Sequence, residues 1–286
     1  MRTGPGRRQT GKERIAVEYD LTEGSITKRL LRFAFPLMLG NLLQQFYNVA
    51  DTWIVGRFLG SDALAAVGSS YTLMVFLTSI LLGLCMGSGA FFSIQFGKRD
   101  FEQLKTGFFL SFLLIGFVTL LLNAAAFAGL DGMITLLQVP AELRGMMKAY
   151  LFCIFLGIPA TFLYNYFASL LRAVGNSVVP LVFLAASAVL NILLDPLFIF
   201  VFGLETAGAA IATVGGQILA MVVSSLVITF RLKDVHISFR HFRPDWKIIK
   251  DIYVVGIPSI VMQSIGTVMT MALNGILSSF STAAYT

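Results

Sequence analysis

Asn191-Ile192-Leu193-Leu194-Asp195-Pro196-Leu197-Phe198-Ile199-Phe200 sets a carboxylate, and an amide one helical turn before it, inside an apolar run from Ala173 to Leu204. Proline follows the acid directly. An ionisable group at that depth costs on the order of 3 kcal/mol on insertion scales, so it faces a protein interior or a water-filled cavity and marks an ion or proton pathway. Asp195 is therefore read as a ligand of a transported cation.

The surroundings of that stretch repeat its character. Residues 33–50, 63–97, 106–130, 149–171, 206–230 and 252–286 contain no Asp, Glu, Lys or Arg. Roughly 20 apolar residues at 1.5 Å each cross a bilayer core of about 30 Å. The chain is 57% hydrophobic and 13% charged, where a soluble domain carries about 25% charge. The fold class expected is an all-α membrane protein with seven spans, at 30–56, 65–96, 106–128, 147–171, 178–202, 207–230 and 248–278. No cleavable signal is expected, because the first apolar run is too long for a signal-peptide core.

The net charge of +6 is placed in a way that excludes nucleic acid as partner. With the N-terminus inside, 18 of the 21 Lys and Arg fall in the tail, at the inner span ends and in the loops after spans two, four and six. Only Arg57, Arg144 and Lys148 lie outside. This positive-inside bias predicts a multi-pass protein of the cell membrane with a cytoplasmic N-terminus. The divisions expected are a basic tail at 1–24, attracted to anionic membrane lipid, a six-helix lobe at 25–230, a cytoplasmic loop at 231–247 and a further helix at 248–286.

Within this frame, several features read as packing. Cys85 and Cys153 fall inside spans as small buried hydrophobes, and His236 and His241 sit in a solvated basic loop, so no metal site or catalytic histidine is expected. Gly83, Gly87 and Gly89 allow close helix approach. Asp131 to Lys148 is expected to lie along the outer interface as an amphipathic segment. Pro36 bends the first span or hinges it, and Pro196 follows the buried acid.

The seventh span repeats the first at an offset of 222 residues: Lys250 meets Lys28, Pro258 meets Pro36, Ala272 meets Ala50 and Phe280 meets Phe58. This is the expected start of a second six-helix unit, incomplete in this chain, in which Leu273 stands opposite Asp51.

The polar residues inside the spans converge. Gln44, Tyr47, Asn48 and Asp51 follow an i, i+3, i+4, i+7 spacing, which puts them on one helix face. Counted from the outer span ends, Asp51 lies roughly 7–8 Å deep, Asp195 about 12 Å and Thr213 roughly 9 Å. Tyr47 and Asn191 lie one turn deeper than the two acids. No Lys or Arg within the membrane can pair with them. Two carboxylates close together and out of water resist carrying two negative charges, so the pair favours a bound cation. A proton suits that arrangement, and Na⁺ held by the oxygens of Asp51, Asn191 and Asp195 suits it equally. No cofactor is expected.

Pro36 with Val49-Ala50-Asp51-Thr52 and Gly56-Arg57, Arg172-Ala173-Val174-Gly175-Asn176 with Pro180, Asn191 to Pro196, and the amphipathic segment from Leu136 to Tyr150 together resemble the multidrug and toxic compound extrusion (MATE) family. The resemblance implies a twelve-helix transporter of two six-helix lobes that rock between outward- and inward-facing states. It implies export of organic cations or drugs in exchange for H⁺ or Na⁺. It also implies a cation site at Tyr47, Asp51, Asn191, Asp195 and Thr213, with bending at Pro36. On this reading the C-terminal lobe is missing from the sequence.

Two other classes stay in view. A lipid-linked saccharide flippase of related architecture would be expected to carry basic residues in its cavity, and the spans hold almost none. An intramembrane protease would use an aspartate dyad, but no companion catalytic motif occurs, so an enzyme is not expected. A non-transporting membrane scaffold or fragment is the remaining alternative. For an exporter, Gln44 and Asn48 are candidates to face the substrate, and the 26 Phe and 11 Met supply a surface suited to lipophilic cations.

Overall fold

The computed structural model describes residues 25–136, 139–231 and 245–280. The basic tail at 1–24 and most of the 231–247 loop, with both histidines, lie outside the described residues. Seven helices follow in order: α1 (Ile26–Phe58), α2 (Gly60–Lys98), α3 (Phe101–Leu136), α4 (Ala141–Ala173), α5 (Val178–Pro196), α6 (Glu205–Arg231) and α7 (Trp246–Phe280). A π-helical turn, Leu197–Val201, continues α5. Helices α2 to α7 are each long and apolar enough to cross a bilayer. At 33 residues α1 matches them in length, but Asn41, Gln44, Gln45, Asn48 and Asp51 make its middle polar. An all-α, multi-pass membrane protein is what the sequence leads one to expect, and it is what forms.

Short connections force consecutive helices to reverse. Between α1 and α2 there is one residue, Leu59, and the chain turns at Gly60, whose φ of 89° suits glycine. At the end of α2, Arg99 takes a left-handed conformation. The Asp100 N–H then returns to the Gln95 carbonyl at 3.0 Å, and Asp100 Oδ1 accepts the Gln103 N–H at 3.1 Å to start α3. Likewise Asn176 Oδ1 accepts the Val179 N–H at 3.0 Å and starts α5. One end of the bundle thus collects Lys28, Lys98, Arg99, Arg172 and Lys247, and is called the basic end below.

The segment Asp131–Lys148 differs from the expectation of a separate interfacial helix. Its first part extends α3 to Leu136 and its second part opens α4 at Ala141, with the break at Pro140. The physical reason is apolar packing, since Leu130, Ile134, Val139 and Met147 are all buried, and the exposed ion pair from Lys148 Nζ to Asp131 Oδ1 at 2.7 Å only bridges the two helix ends. Arg144 Nε also donates to the Val139 carbonyl at 3.0 Å. A 36-residue α3 is about 54 Å long, so it overruns the hydrocarbon layer and carries these charges past it.

Helix α4 is the axis of the bundle, packed on α2 and α6. Tyr166 is fully buried there and stacks on Phe108 at 5.3 Å between centroids, with Phe112 and Phe162 each 5.7 Å away. Its hydroxyl donates to the Phe108 carbonyl at 2.5 Å and bonds to Ser111 Oγ at 2.8 Å, so this buried phenol is satisfied. Cys85 is buried and Cys153 half-buried, both as free thiols. Helix α5 packs on α6 and α1, and this three-helix corner carries the intramembrane acids.

Candidate cation site

Helix α1 turns Gly40, Ile54 and Val55 into the bundle, with Tyr47 and Asp51 half-buried between them. Asp195 is fully buried, and Asn191, one turn away on α5, is 2% exposed. The polar face of α1 therefore meets the acidic face of α5. Thr213 reaches the same place from α6 because three close approaches seat that helix. A Cβ at Gly208 would lie 3.1 Å from the Phe198 carbonyl carbon, one at Gly216 would lie 2.8 Å from Ser187 Oγ, and one at Gly157 of α4 would lie 2.5 Å from the Val214 side chain.

A hydrogen-bond chain runs through the cluster. Tyr47 OH lies 3.2 Å from Thr213 Oγ1. The Asn191 amide fits with Nδ2 donating to Asp195 Oδ2 at 3.2 Å, and with Oδ1 accepting from the Thr213 hydroxyl at 3.2 Å and the Thr213 N–H at 2.9 Å. The opposite orientation would aim its carbonyl at the carboxylate. Every donor then points one way: Tyr47 to Thr213, Thr213 to Asn191, Asn191 to Asp195.

The two carboxyl groups lie close enough to interact electrostatically. Asp51 Oδ1 and Asp195 Oδ1 are buried, and no donor among the described residues reaches either. The ion pairs of the described residues involve neither acid. Two unit charges 4 Å apart repel by about 4 kcal/mol at an effective dielectric of 20. Such a pair is stabilised by one added positive charge, and two free carboxylate oxygens beside a phenol and a hydroxyl form an oxygen-only set that fits a proton or a hard monovalent cation.

The five residues Tyr47, Asp51, Asn191, Asp195 and Thr213 come together in one cluster. Gln44 is exposed on α1, and Asn48 is half-buried with its carbonyl accepting from Thr52 Oγ1 at 2.7 Å; no bond is described from either side chain to the cluster. Pro36 lies inside α1, which runs unbroken past it. Pro196 marks the change from α to π winding directly after Asp195. Sequence reasoning missed Tyr150 of α4, which is buried within electrostatic reach of Asp51, Asp195 and Tyr47. Tyr71 of α2 is within reach of Tyr47 and Tyr150. Both tyrosines sit near the outer ends of their spans, so counting depth for phenols as well as acids finds them.

The MatE family model matches residues 36–197, which hold Asp51, Asn191 and Asp195. This chain is a member of the MatE family. It is 33% identical over 262 residues to the probable multidrug resistance protein YpnP of Bacillus subtilis (strain 168), covering 92% of this chain and 58% of that protein. To the multidrug export protein MepA of Staphylococcus aureus (strain MRSA252) it is 28% identical over 278 residues, covering 93% and 60%. Among solved structures, it is similar to the outward-facing conformation of a multidrug resistance MATE family transporter of the MOP superfamily. There the TM-score is 0.85 at 25% identity, over 93% of this chain and 59% of that one. This MatE chain therefore spans about three fifths of the length of the curated relatives it matches.

Proposed function

We propose that this protein works as a cation-coupled antiporter, driven by H⁺ or Na⁺, that exports organic cations or drugs across the cell membrane. The observation that carries the reading is the pair Asp51 and Asp195, with no basic partner among the described residues and each with a buried oxygen that no described donor reaches. A cation on that pair draws α1 and α5 together, and its release frees them. A drug that binds better to the second arrangement expels the cation, and the cation expels the drug, because coupling between two ligands is reciprocal. The work is transport, with no covalent chemistry and no cofactor. Charge placement supports the orientation, with the basic end and the N-terminus in the cytoplasm.

A second six-helix lobe completes the path, in keeping with a chain that spans about three fifths of the length of its relatives. The face of α1 bearing Phe35, Met38, Leu42 and Phe46 is 56–72% exposed, while α7 exposes Val254, Val261, Met262 and Ile265. The half-buried Asn48 and the exposed Gln44 border the space the drug crosses, beside the second lobe.

Dye efflux from cells producing the complete gene product tests the proposal. Asp51→Asn or Asp195→Asn abolishes efflux while the protein still reaches the membrane; efflux at the unmodified rate in both variants rejects the site. Collapsing the proton gradient at constant Na⁺, and removing Na⁺ at constant pH, separates the two coupling ions.

A further inference from the structure

Arg172, in the last turn of α4, is a positive charge that the acid pair does not use. Helices α2 and α4 both run towards the basic end, and a Cβ at Gly89 would press on Ser169 Oγ, which fixes their register. Lys98 lies nine residues past Gly89 and Arg172 three past Ser169, so Arg172 sits about 9 Å short of the end of α2. Its side chain leans back along α4, as helical side chains do, into the electrostatic vicinity of Cys85 and Tyr164. Arg172 is half-buried, and the hairpin after it is buried, with Val174 2% and Ser177 4% exposed. An arginine in a last turn ordinarily serves the free carbonyls of its own helix. Here the backbone does that itself. The Leu170, Leu171 and Arg172 carbonyls accept from the N–H groups of Val174, Asn176 and Gly175 at 3.1, 2.9 and 3.0 Å. Nearby acceptors are taken too: the Cys85 carbonyl accepts from Ser169 Oγ at 2.7 Å, and the Pro180 carbonyl from Tyr164 OH at 3.4 Å. The ion pairs of the described residues leave Arg172 out, and at this end Glu102 pairs with Lys105 while Asp100 and Asp245 accept from backbone N–H groups.

We infer that Arg172 is an oxyanion site, whose guanidinium takes the carboxylate or phosphate group of an amphiphile that reaches the lobe from the basic end. This rests on the exporter reading for the direction of approach, and it widens the cargo from plain cations to molecules that also carry an anionic group. A guanidinium presents five N–H donors on a planar fork that matches an oxyanion bidentately, and such a charge-assisted pair gains strength out of water. The placement suits a path. Tyr164 and Arg172 follow Tyr150 by 14 and 22 residues, both close to whole turns, so the three share one face of α4. That face runs from the acid pair, beside Tyr150, to Arg172 over about 33 Å of helix. A small amphiphile is too short to touch both ends at once, so its anionic group is held first and released as the molecule moves outward. The oxyanion has two sources, an exported drug and a membrane phospholipid, which the same guanidinium would bind alike.

The test uses the complete gene product, purified in uncharged micelles, with a rhodamine dye bearing a free carboxylate and the methyl ester of the same dye. Fluorescence polarisation reads the binding of each. Arg172→Gln should weaken binding of the carboxylate dye at least tenfold more than binding of the ester, and Arg172→Lys, which keeps the charge without the fork, should fall between. Equal weakening of the two dyes, or no change in either, overturns the inference. Should Arg172→Gln fail to fold, Arg172→Lys and the parent still decide: in the parent, benzoate displaces the carboxylate dye and benzamide does not, and equal displacement by the two overturns the site. Dye efflux from cells then assigns the source. A drug is the source if Arg172→Gln lowers efflux of the carboxylate dye at least tenfold more than efflux of the ester. A lipid is the source if that ratio holds steady and phosphatidylglycerol displaces the carboxylate dye from the parent but not from Arg172→Gln. If neither result appears, the site serves no amphiphile and the inference falls. Binding of the carboxylate through Arg172 by a parent that exports neither dye counts against the exporter reading alone.

Discussion

Asp195 does with its neighbours what a lone carboxylate in an apolar helix cannot do alone. Asn191 Nδ2 supplies it one donor at 3.2 Å, the Asp51 carboxyl stands in its electrostatic vicinity, and its Oδ1 is left over. On the proposed function, a bound cation would supply what that oxygen lacks. Removing single members of the chain therefore has graded effects. Tyr47→Phe deletes one hydrogen bond, worth about 1 kcal/mol, and is expected to weaken apparent cation affinity about fivefold with little change in expression. Asn191→Leu removes three hydrogen bonds at once, one to Asp195 and two from Thr213, so a larger loss, beyond about tenfold, is expected. Efflux measured against external Na⁺ or pH reads both.

Among the helices, the corner of α1, α5 and α6 is set by what α6 lacks. Glycine at 208 and 216 lets α5 approach until Thr213 meets Asn191. Gly216→Val would push against Ser187 Oγ and the Ser187 carbonyl, 2.8 and 3.1 Å from the new Cβ. Overpacking of this kind costs about 1–3 kcal/mol. The expected result is a lower melting temperature in detergent and loss of the stabilisation that Na⁺ or protons give the parent. The π turn after Asp195 has a local cause: Pro196 brings no N–H, so the Ile192 carbonyl loses its i+4 donor and the winding loosens. Pro196→Ala supplies that donor. Melting should stay level or rise while efflux falls, and unchanged efflux would show that the wide turn plays no part in transport.

At the scale of the molecule, the offset of 222 residues relates a covered face to an uncovered one. On α7, Ile248 and Ile252 are 4% and 0% exposed against α2; their counterparts on α1, Ile26 and Leu30, are 83% and 63% exposed. Met38, the counterpart of Ile260, is 64% exposed. In the complete protein, a second-lobe helix equivalent to α2 is expected to cover this face. A nitroxide attached through Met38→Cys should then be shielded from lipid-dissolved oxygen, while one attached through Phe117→Cys on α3, where Phe117 is 67% exposed, should not. Equal accessibility at the two positions would remove the symmetry argument.

The seven helices, their order and the two acids inside them follow from the sequence alone, because both signals are local. A run of about 20 apolar residues must be helical in lipid to satisfy its own backbone, and an aspartate within it is costly wherever it points. Even the depths of Asp51, Asp195 and Thr213 could be counted from the span ends. Which faces meet is another matter. In lipid the outside of a helix is as apolar as its packed side, so hydrophobic periodicity does not separate the two. Only the tertiary structure, therefore, aimed Asn191 at Thr213, brought Tyr150 to the acids, joined α3 to α4 through Lys148 and Asp131, and laid Gly83 and Gly87 against α7.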